Sequence, residues 1–291
     1  MISVVIASLN EDLLTKVKSN ISNTIGVVHE IIVTKNTAIN NNGICQIYNN
    51  AAAVAKYDIL CYMHEDIEMK TSNWGKKIVS YFDEIKDLGI IGIFGSTYKT
   101  FVPSGWGVMN DSNSTNFGCY IQGFKSVAKK KEYIQVNRRK ESFKQVLCID
   151  GMWFCTTKKI VFENPFDDET FKHFHGYDID FCLSLYNKYN VIVTYEVLLE
   201  HFSEGTYNAH WFEEAHKLHE KWKKYLPMSS EVIPSVEKQL IDKRSFKWLI
   251  QSSKKLSLTK GQLLQLLYFY WKSGKFSLKN YIKLAYYSLK F

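Results

Sequence analysis

No apolar run in this chain is long enough to cross a bilayer. The longest, from Leu263 to Trp271, is interrupted by Gln265, whereas a spanning helix takes about 20 apolar residues. The first residues, Met1-Ile2-Ser3-Val4-Val5-Ile6-Ala7, carry no basic leader and reach Ser8 and Asn10 early. They read as a first strand, not a signal peptide. No Cys-x-x-Cys pair occurs among Cys45, Cys61, Cys119, Cys148, Cys155 and Cys182. Several sit in apolar patterns where a thiol packs as a small hydrophobe, so reduced cysteines and a cytosolic compartment are expected. Gly89, Gly92 and Gly95 do not make Gly-x-Gly-x-x-Gly and fall on an expected strand, which argues against a dinucleotide oxidoreductase. A Gly-x-x-x-x-Gly-Lys-Ser/Thr loop is also missing, as are internal repeats and low-complexity tracts.

What is present is a 291-residue chain, 46% hydrophobic and 15% aromatic, ample for a packed core. Charge is unevenly placed. Residues 236–291 carry twelve Lys/Arg against Glu237 and Asp242, a net of +10 in a chain whose total is +8. A near-neutral body therefore ends in a basic tail. Pro227 and Pro234 bracket a plausible linker, which divides the expected domains into 1–226 and 236–291.

Residues 2–7, 30–34, 58–63 and 89–94 read as strands. Residues 12–21, 44–56 and 74–85 read as helices between them. Such alternation predicts an α/β fold with a parallel sheet covered on both faces. Residues 99–146 are rich in Gly, Ser, Asn and basic side chains and predict loops and short strands on a binding face. A strand pair at 145–149 and 153–156 flanks the turn Asp150-Gly151. A helix at 177–188, a strand at 191–196 and a helix at 208–225 follow. The tail predicts two or three amphipathic helices, with Leu263, Leu266, Leu267 and Tyr270 at helical spacing.

Two acidic stretches carry the chemistry: Tyr62-Met63-His64-Glu65-Asp66 and His175-Gly176-Tyr177-Asp178-Ile179-Asp180. The first ends an apolar strand, at the mouth of an α/β sheet where ligands bind. The second opens a helix that can aim carboxylates into the same cleft. One carboxylate can hold a divalent cation and another can act as a general base, which is what sugar transfer from a nucleotide diphosphate requires. His210, His216 and His219 sit among charged neighbours and read as a solvated helix face.

In order and spacing these segments resemble the family 2-like glycosyltransferases with a GT-A fold. The resemblance covers residues 1–210. It is carried by Ser3-Val4-Val5-Ile6-Ala7-Ser8-Leu9-Asn10-Glu11, by Tyr48-Asn49-Asn50-Ala51-Ala52 followed by Tyr57-Asp58-Ile59-Leu60, and by His64-Glu65-Asp66 in the place of Asp-x-Asp. Gly151-Met152-Trp153-Phe154, Phe166-Asp167-Asp168, His175 to Phe181 and His201-Phe202-Ser203 complete it. Three departures stand out. The second strand ends Thr34-Lys35-Asn36 where acids usually hold the base and ribose, the first Asp of Asp-x-Asp is His64, and the usual Glu of the downstream motif is Tyr177.

The resemblance implies an inverting transferase moving a sugar from a nucleotide-diphosphate sugar to a saccharide or lipid-linked saccharide, in surface polysaccharide synthesis. It implies Asp178 as base, and Asp66 then His201 as ligands of a divalent cation, Mn²⁺ or Mg²⁺. Ala7, Ser8, Asn10, Glu11, Asn49, His64 and Glu65 are expected beside the donor, with Asn10 alternatively capping a helix. Asp150, Gly151, Trp153 and Asp180 are expected on the acceptor side. Asp150 has turn-forming as its alternative, Trp153 core packing, and Asp180 a helix N-terminal charge. Trp106 is a second candidate for stacking on a sugar. For the basic tail the options are an anionic inner leaflet, the catalytic body, or another subunit; nucleic acid is disfavoured. A sugar nucleotidyltransferase and an inactive carbohydrate- or membrane-binding module are the competing readings. Against the former, Ser8-Leu9-Asn10-Glu11 lacks a Gly-rich basic loop.

Overall fold

The computed structural model describes residues 1–35, 42–107, 114–124, 129–137, 141–274 and 277–290; Asn36 at the end of the second strand and Lys275 of the tail lie outside them. The N-terminal part alternates through β1 (Ile2–Ser8), α1 (Glu11–Thr24), β2 (His29–Lys35), α2 (Ile44–Val54), β3 (Ile59–Met63), β4 (Ile67–Met69), α3 (Trp74–Glu84) and β5 (Leu88–Gly92). A strand-rich stretch follows: β6 (Phe94–Ser96), β7 (Tyr98–Lys99), β8 (Asn116–Gln122), β9 (Glu132–Val136), β10 (Phe143–Val146), β11 (Cys148–Ile149) and β12 (Trp153–Thr157). The chain continues through α4 (Lys158–Glu163), α5 (Tyr177–Ser184), β13 (Asn190–Thr194), β14 (Leu199–His201), α6 (Ala209–Trp222) and β15 (Met228–Ser229). It ends in α7 (Ser235–Gln251), α8 (Lys260–Lys272) and α9 (Leu278–Lys290).

The main sheet has the order β10-β13-β5-β12-β3-β1-β2. The expected parallel sheet is in fact mixed. β1 runs parallel to β2 and β3, and β13 to β5, but β12 lies antiparallel between β3 and β5. The reason is where β12 begins: Trp153 pairs with Met63, the last residue of β3, so the chain enters at the C-terminal edge and must run back. A second sheet, β11-β6-β8-β14-β4 with β9 on β8, stands beside it. Two stretches expected as single strands are split between the sheets. Residues 89–94 break at Ile93, and 145–149 break at Leu147. The second half of each, β6 and β11, pairs with the other in the second sheet, so β11 does not pair with β12 as expected.

Alternation along the strands sends successive side chains to opposite faces. Leu60 and Tyr62 enter one apolar cluster with Phe154 and Tyr48, whereas Cys61 and Met63 enter the other with Trp74 and Trp153. All six cysteines are free and buried. Asn10 caps α1, its side chain accepting from the amides of Asp12 and Leu13.

The C-terminal helices are part of the main core. Phe246, Leu249, Leu263, Leu267, Tyr270 and Leu284 share a cluster with Tyr48 and Phe154. Asp242 Oδ1 accepts from the Tyr98 hydroxyl and the Phe101 amide, each at 3.1 Å. The expected linker is tied down as well. β15 pairs with β7, the Ser230 amide donates to Thr97 O at 2.9 Å, and Glu231 takes Lys144 at 2.8 Å. Several of its groups are thus bonded to the body, so it is no loose tether. α6 also departs from the solvated reading. His219 and Glu214 are buried, His219 against Phe101 and Tyr270. Burial first, then the charge of Lys99, pushes the His219 imidazole down to about 3.

Two outcomes follow for stability. A chain ending at residue 234 exposes the core face covered by α7 and α8 and should lose its cooperative urea transition by circular dichroism. Asp242→Ala removes the acceptor shared by Tyr98 and Phe101 and should cost about 3 kcal/mol in the same measurement.

Candidate active site

The site is assembled where β3, β4, β14 and α5 meet. β3 extends by one bond past its end, the His64 amide donating to Met152 O at 2.9 Å. The turn His64-Glu65-Asp66 then leads into β4. β14 runs antiparallel to β4 with His201 opposite Ile67, and the Phe202 amide donates to Asp66 O at 3.0 Å. That register sets His201 beside Asp66, with Nε2 to Oδ1 at 3.4 Å. The rings of His64 and His201 lie 5.8 Å apart. One donor atom each from His64, Asp66 and His201 falls within 4.8 Å of the others, and Ser203 Oγ sits 3.1 Å from His201 Nε2.

The second carboxylate is Asp178, in the first turn of α5 and next in sequence to Tyr177. Gly176 precedes it at φ +84°, a left-handed conformation suited to glycine. The amides of Gly151 and Ile179 each donate to Asp178 at 2.9 Å. Burial first, then the negative charge of Asp150, raises the Asp178 carboxyl to about 7, against the pull of those amides. Asp150 makes its turn, its Oδ1 accepting from the Met152 amide at 2.9 Å, and its charge still reaches Asp178.

Tyr177 joins the two halves. Its hydroxyl donates to Gly151 O at 3.0 Å and lies 3.3 Å from His64 Nε2. With its one proton committed to Gly151, the hydroxyl accepts from His64. This assigns Nε2–H to His64 and leaves Nδ1 as the bare nitrogen. The contact path therefore runs from Asp66 and His201 through His64, Tyr177 and Gly151 to Asp178. Gly151 has no room for a side chain, since a Cβ there would come within 2.3 Å of the Tyr177 hydroxyl.

The expected donor-side residues take distinct positions. Ser8 Oγ donates to Glu65 at 2.7 Å, and the amides of Leu9 and Asn10 also donate to that carboxylate. Glu65 thus ties the end of β1, where Ala7 and Ser8 lie, and the residues just after it to the turn that carries Asp66. Asn10 spends its side chain on the helix cap, and exposed Glu11 pairs with Lys35.

Three expected site residues are elsewhere engaged. Asn49 holds Phe166 by two bonds, donating to its carbonyl at 2.9 Å and accepting from its amide at 3.0 Å, so half of its hydrogen-bonding capacity is already committed. Trp153 is fully buried, edge-on to Trp74 at 5.8 Å, and offers no face to a sugar. Asp180 is buried, bonded to Lys221 and to the Trp222 indole N–H at 2.7 Å, and fastens α5 to α6. Trp106 is half-buried, edge-on to Phe94 at 5.0 Å. What sequence reasoning missed is Tyr177 as a bridge and Glu65 as a clamp. Tyr177 was visible only as a departure from the usual Glu.

Two imidazoles and a carboxylate suit a borderline divalent ion such as Mn²⁺ better than Mg²⁺, which prefers oxygen. Their protonation fits as well. Burial first, then the charge of His201, pushes His64 down to about 4, so its ring is neutral near pH 7. Burial acts to raise Asp66, but His201, with His64 and Ser203, outweighs it and holds the carboxyl at about 2. Both are therefore in the form that binds metal.

The profile of the glycosyltransferase-like family matches residues 3–225, and the chain belongs to that family. No curated protein matches the chain. Among solved structures, S. aureus TarS residues 1–349 is similar with TM-score 0.54 and 13% identity, over 98% of this chain and 90% of that one. The same protein in complex with UDP-GlcNAc gives 0.53 and 12% over the same shares. GalNAc-T7 with UDP, GalNAc and Mn²⁺ is a weaker likeness, TM-score 0.48 and 10% identity over 70% of this chain. This chain spans 44% of that one. The fold is that of the GT-A glycosyltransferases, with helices added at the C-terminus.

Tyr177→Phe removes the acceptor for His64 Nε2–H without changing volume much. It should weaken Mn²⁺ binding about tenfold by titration calorimetry and, because Gly151 O loses its donor as well, lower stability in urea by about 1 kcal/mol.

Proposed function

We propose that this cleft transfers a sugar from a nucleoside diphosphate sugar to a hydroxyl of a saccharide or lipid-linked saccharide, with inversion at the anomeric carbon, in surface polysaccharide assembly. The observation that carries this reading is Asp178. Its half-buried carboxyl sits at about 7, beside the Tyr177 whose hydroxyl meets His64 of the His64, Asp66 and His201 cluster, and a base titrating near the working pH is the efficient one.

In this reading Asp178 accepts the proton of the acceptor hydroxyl as that oxygen bonds to the anomeric carbon. The bond from that carbon to the diphosphate breaks on the opposite side, and the nucleoside diphosphate departs. The amides of Gly151 and Ile179 hold the Asp178 carboxylate in place, and Asp150 keeps its affinity for a proton high. When bound by His64, Asp66 and His201, a divalent cation, Mn²⁺ for preference, would neutralise charge on the leaving diphosphate. TarS binds UDP-GlcNAc, which makes UDP-sugars the first donors to try. A nucleotidyltransferase fits less well, because Glu65 occupies the amides after β1 with a negative charge where that chemistry needs a phosphate cradle.

Screening UDP-, GDP- and dTDP-sugars by thermal shift tests the donor assignment. One of them should raise the melting temperature only with Mn²⁺ present, and Asp66→Ala should abolish that rise. Asp178→Asn should keep donor binding and lose about 10³-fold in transfer, read as nucleotide release. A base must be ionised to act, so transfer by the unaltered chain should climb with pH through about 7 and level off above it. Asp178→Asn should show no such limb. Full turnover by Asp178→Asn would remove the base from this role.

A further inference from the structure

α9 is amphipathic twice over. Its inner face is the one on which Leu284 and Ser288 are buried. Its outer face is apolar too: Leu278, Ile282, Tyr286 and Leu289 are 60%, 59%, 57% and 58% exposed. At 3.6 residues per turn these four fall within about 80° of arc, and Lys279, Lys283 and Lys290 follow one another along one edge of that strip. Trp271 of α8, also exposed, packs against Tyr281 at 5.1 Å, and Tyr268 lies 6.2 Å from Trp271. Lys272 and Lys290 sit over the rings of Tyr268 and Tyr286. Residues 260–290 contain no Asp or Glu.

We propose that this face of α8 and α9 docks on an anionic lipid bilayer, with Leu278, Ile282, Tyr286 and Leu289 seated at the headgroup boundary and the lysine row against the acidic headgroups. The charge pattern selects this occupant. Lys279 and Lys283 lie close enough to Lys243 for their charges to act on it, after burial, in lowering its proton affinity. A second copy docking by a two-fold axis would set such lysines against their own kind. An acidic surface relieves the repulsion instead, and a helix with apolar and lysine-bearing faces is the form that binds one. Among the described residues no helix is long and apolar enough to cross a membrane, so the chain would lie on the bilayer. This inference does not depend on the catalytic reading.

The test is flotation of the full chain with vesicles of phosphatidylglycerol and phosphatidylcholine, against phosphatidylcholine alone. Binding to the anionic vesicles only is expected, weakening steeply as salt rises. Each of Lys279→Gln, Lys283→Gln and Lys290→Gln should lower vesicle affinity about fivefold. Ile282→Ser with Tyr286→Ser should abolish flotation. All these side chains are exposed, so the melting temperature should hold, which separates lost docking from lost folding. The proposal is overturned by failure to float with anionic vesicles, by flotation indifferent to both sets of changes, or by a face that only pairs two copies in sedimentation equilibrium.

Discussion

The backbone of Gly151, with the N–H on one side of its Cα and the carbonyl on the other, is the joint on which the site depends. Its N–H is spent on Asp178 and its carbonyl on Tyr177, and Tyr177 in turn meets His64. One residue's main chain therefore links a carboxylate to an imidazole that lie on different elements. The joint has no spare volume, because any side chain at Gly151 would strike the Tyr177 hydroxyl. Placing it needs the two crossings between sheets at Ile93 and Leu147, which bring β6 and β11 together and deliver the Asp150-Gly151 turn to the end of β3. The second sheet is thus the frame that aims the first.

Electrostatics divides the two parts of the candidate site. On the triad side, the neighbours of Asp66 offset its burial and keep it ionised, while burial keeps His64 neutral. On the α5 side, burial and Asp150 act in the same direction and make Asp178 retain its proton to about neutral pH. Two aspartates connected through His64, Tyr177 and Gly151 come out about five pH units apart. They are suited to different tasks, as expected when environment rather than residue type assigns acid–base roles.

Much of this was legible in the sequence. Strand–helix alternation gave the α/β class, and the order of His64-Glu65-Asp66, His175 to Asp180 and His201 gave the converging segments. What sequence could not supply was the partner of each side chain. Asn49 looked like a polar group beside a nucleotide because the Phe166 backbone it clamps is 117 positions away. Trp153 and Asp180 lie on the expected elements, but period alone does not say which face meets Trp74 or Lys221. The tail's helical spacing was plain and the catalytic body was one of its expected docking places, yet the apolar stripe alone did not select that option over a membrane or another subunit. Sheet crossings at Ile93 and Leu147 were hidden because each half-strand continues the apolar pattern of the other.

The six thiols lend the molecule a property unrelated to its chemistry. All are buried, and burial pushes Cys148 and Cys182 away from the thiolate form that reacts. Because they are spread from α2 and β3 through β8, β11 and β12 to α5, no single local opening uncovers them all. An alkylating reagent would thus leave intact molecules unmarked, and the positions it reaches would report which part of the fold had come apart.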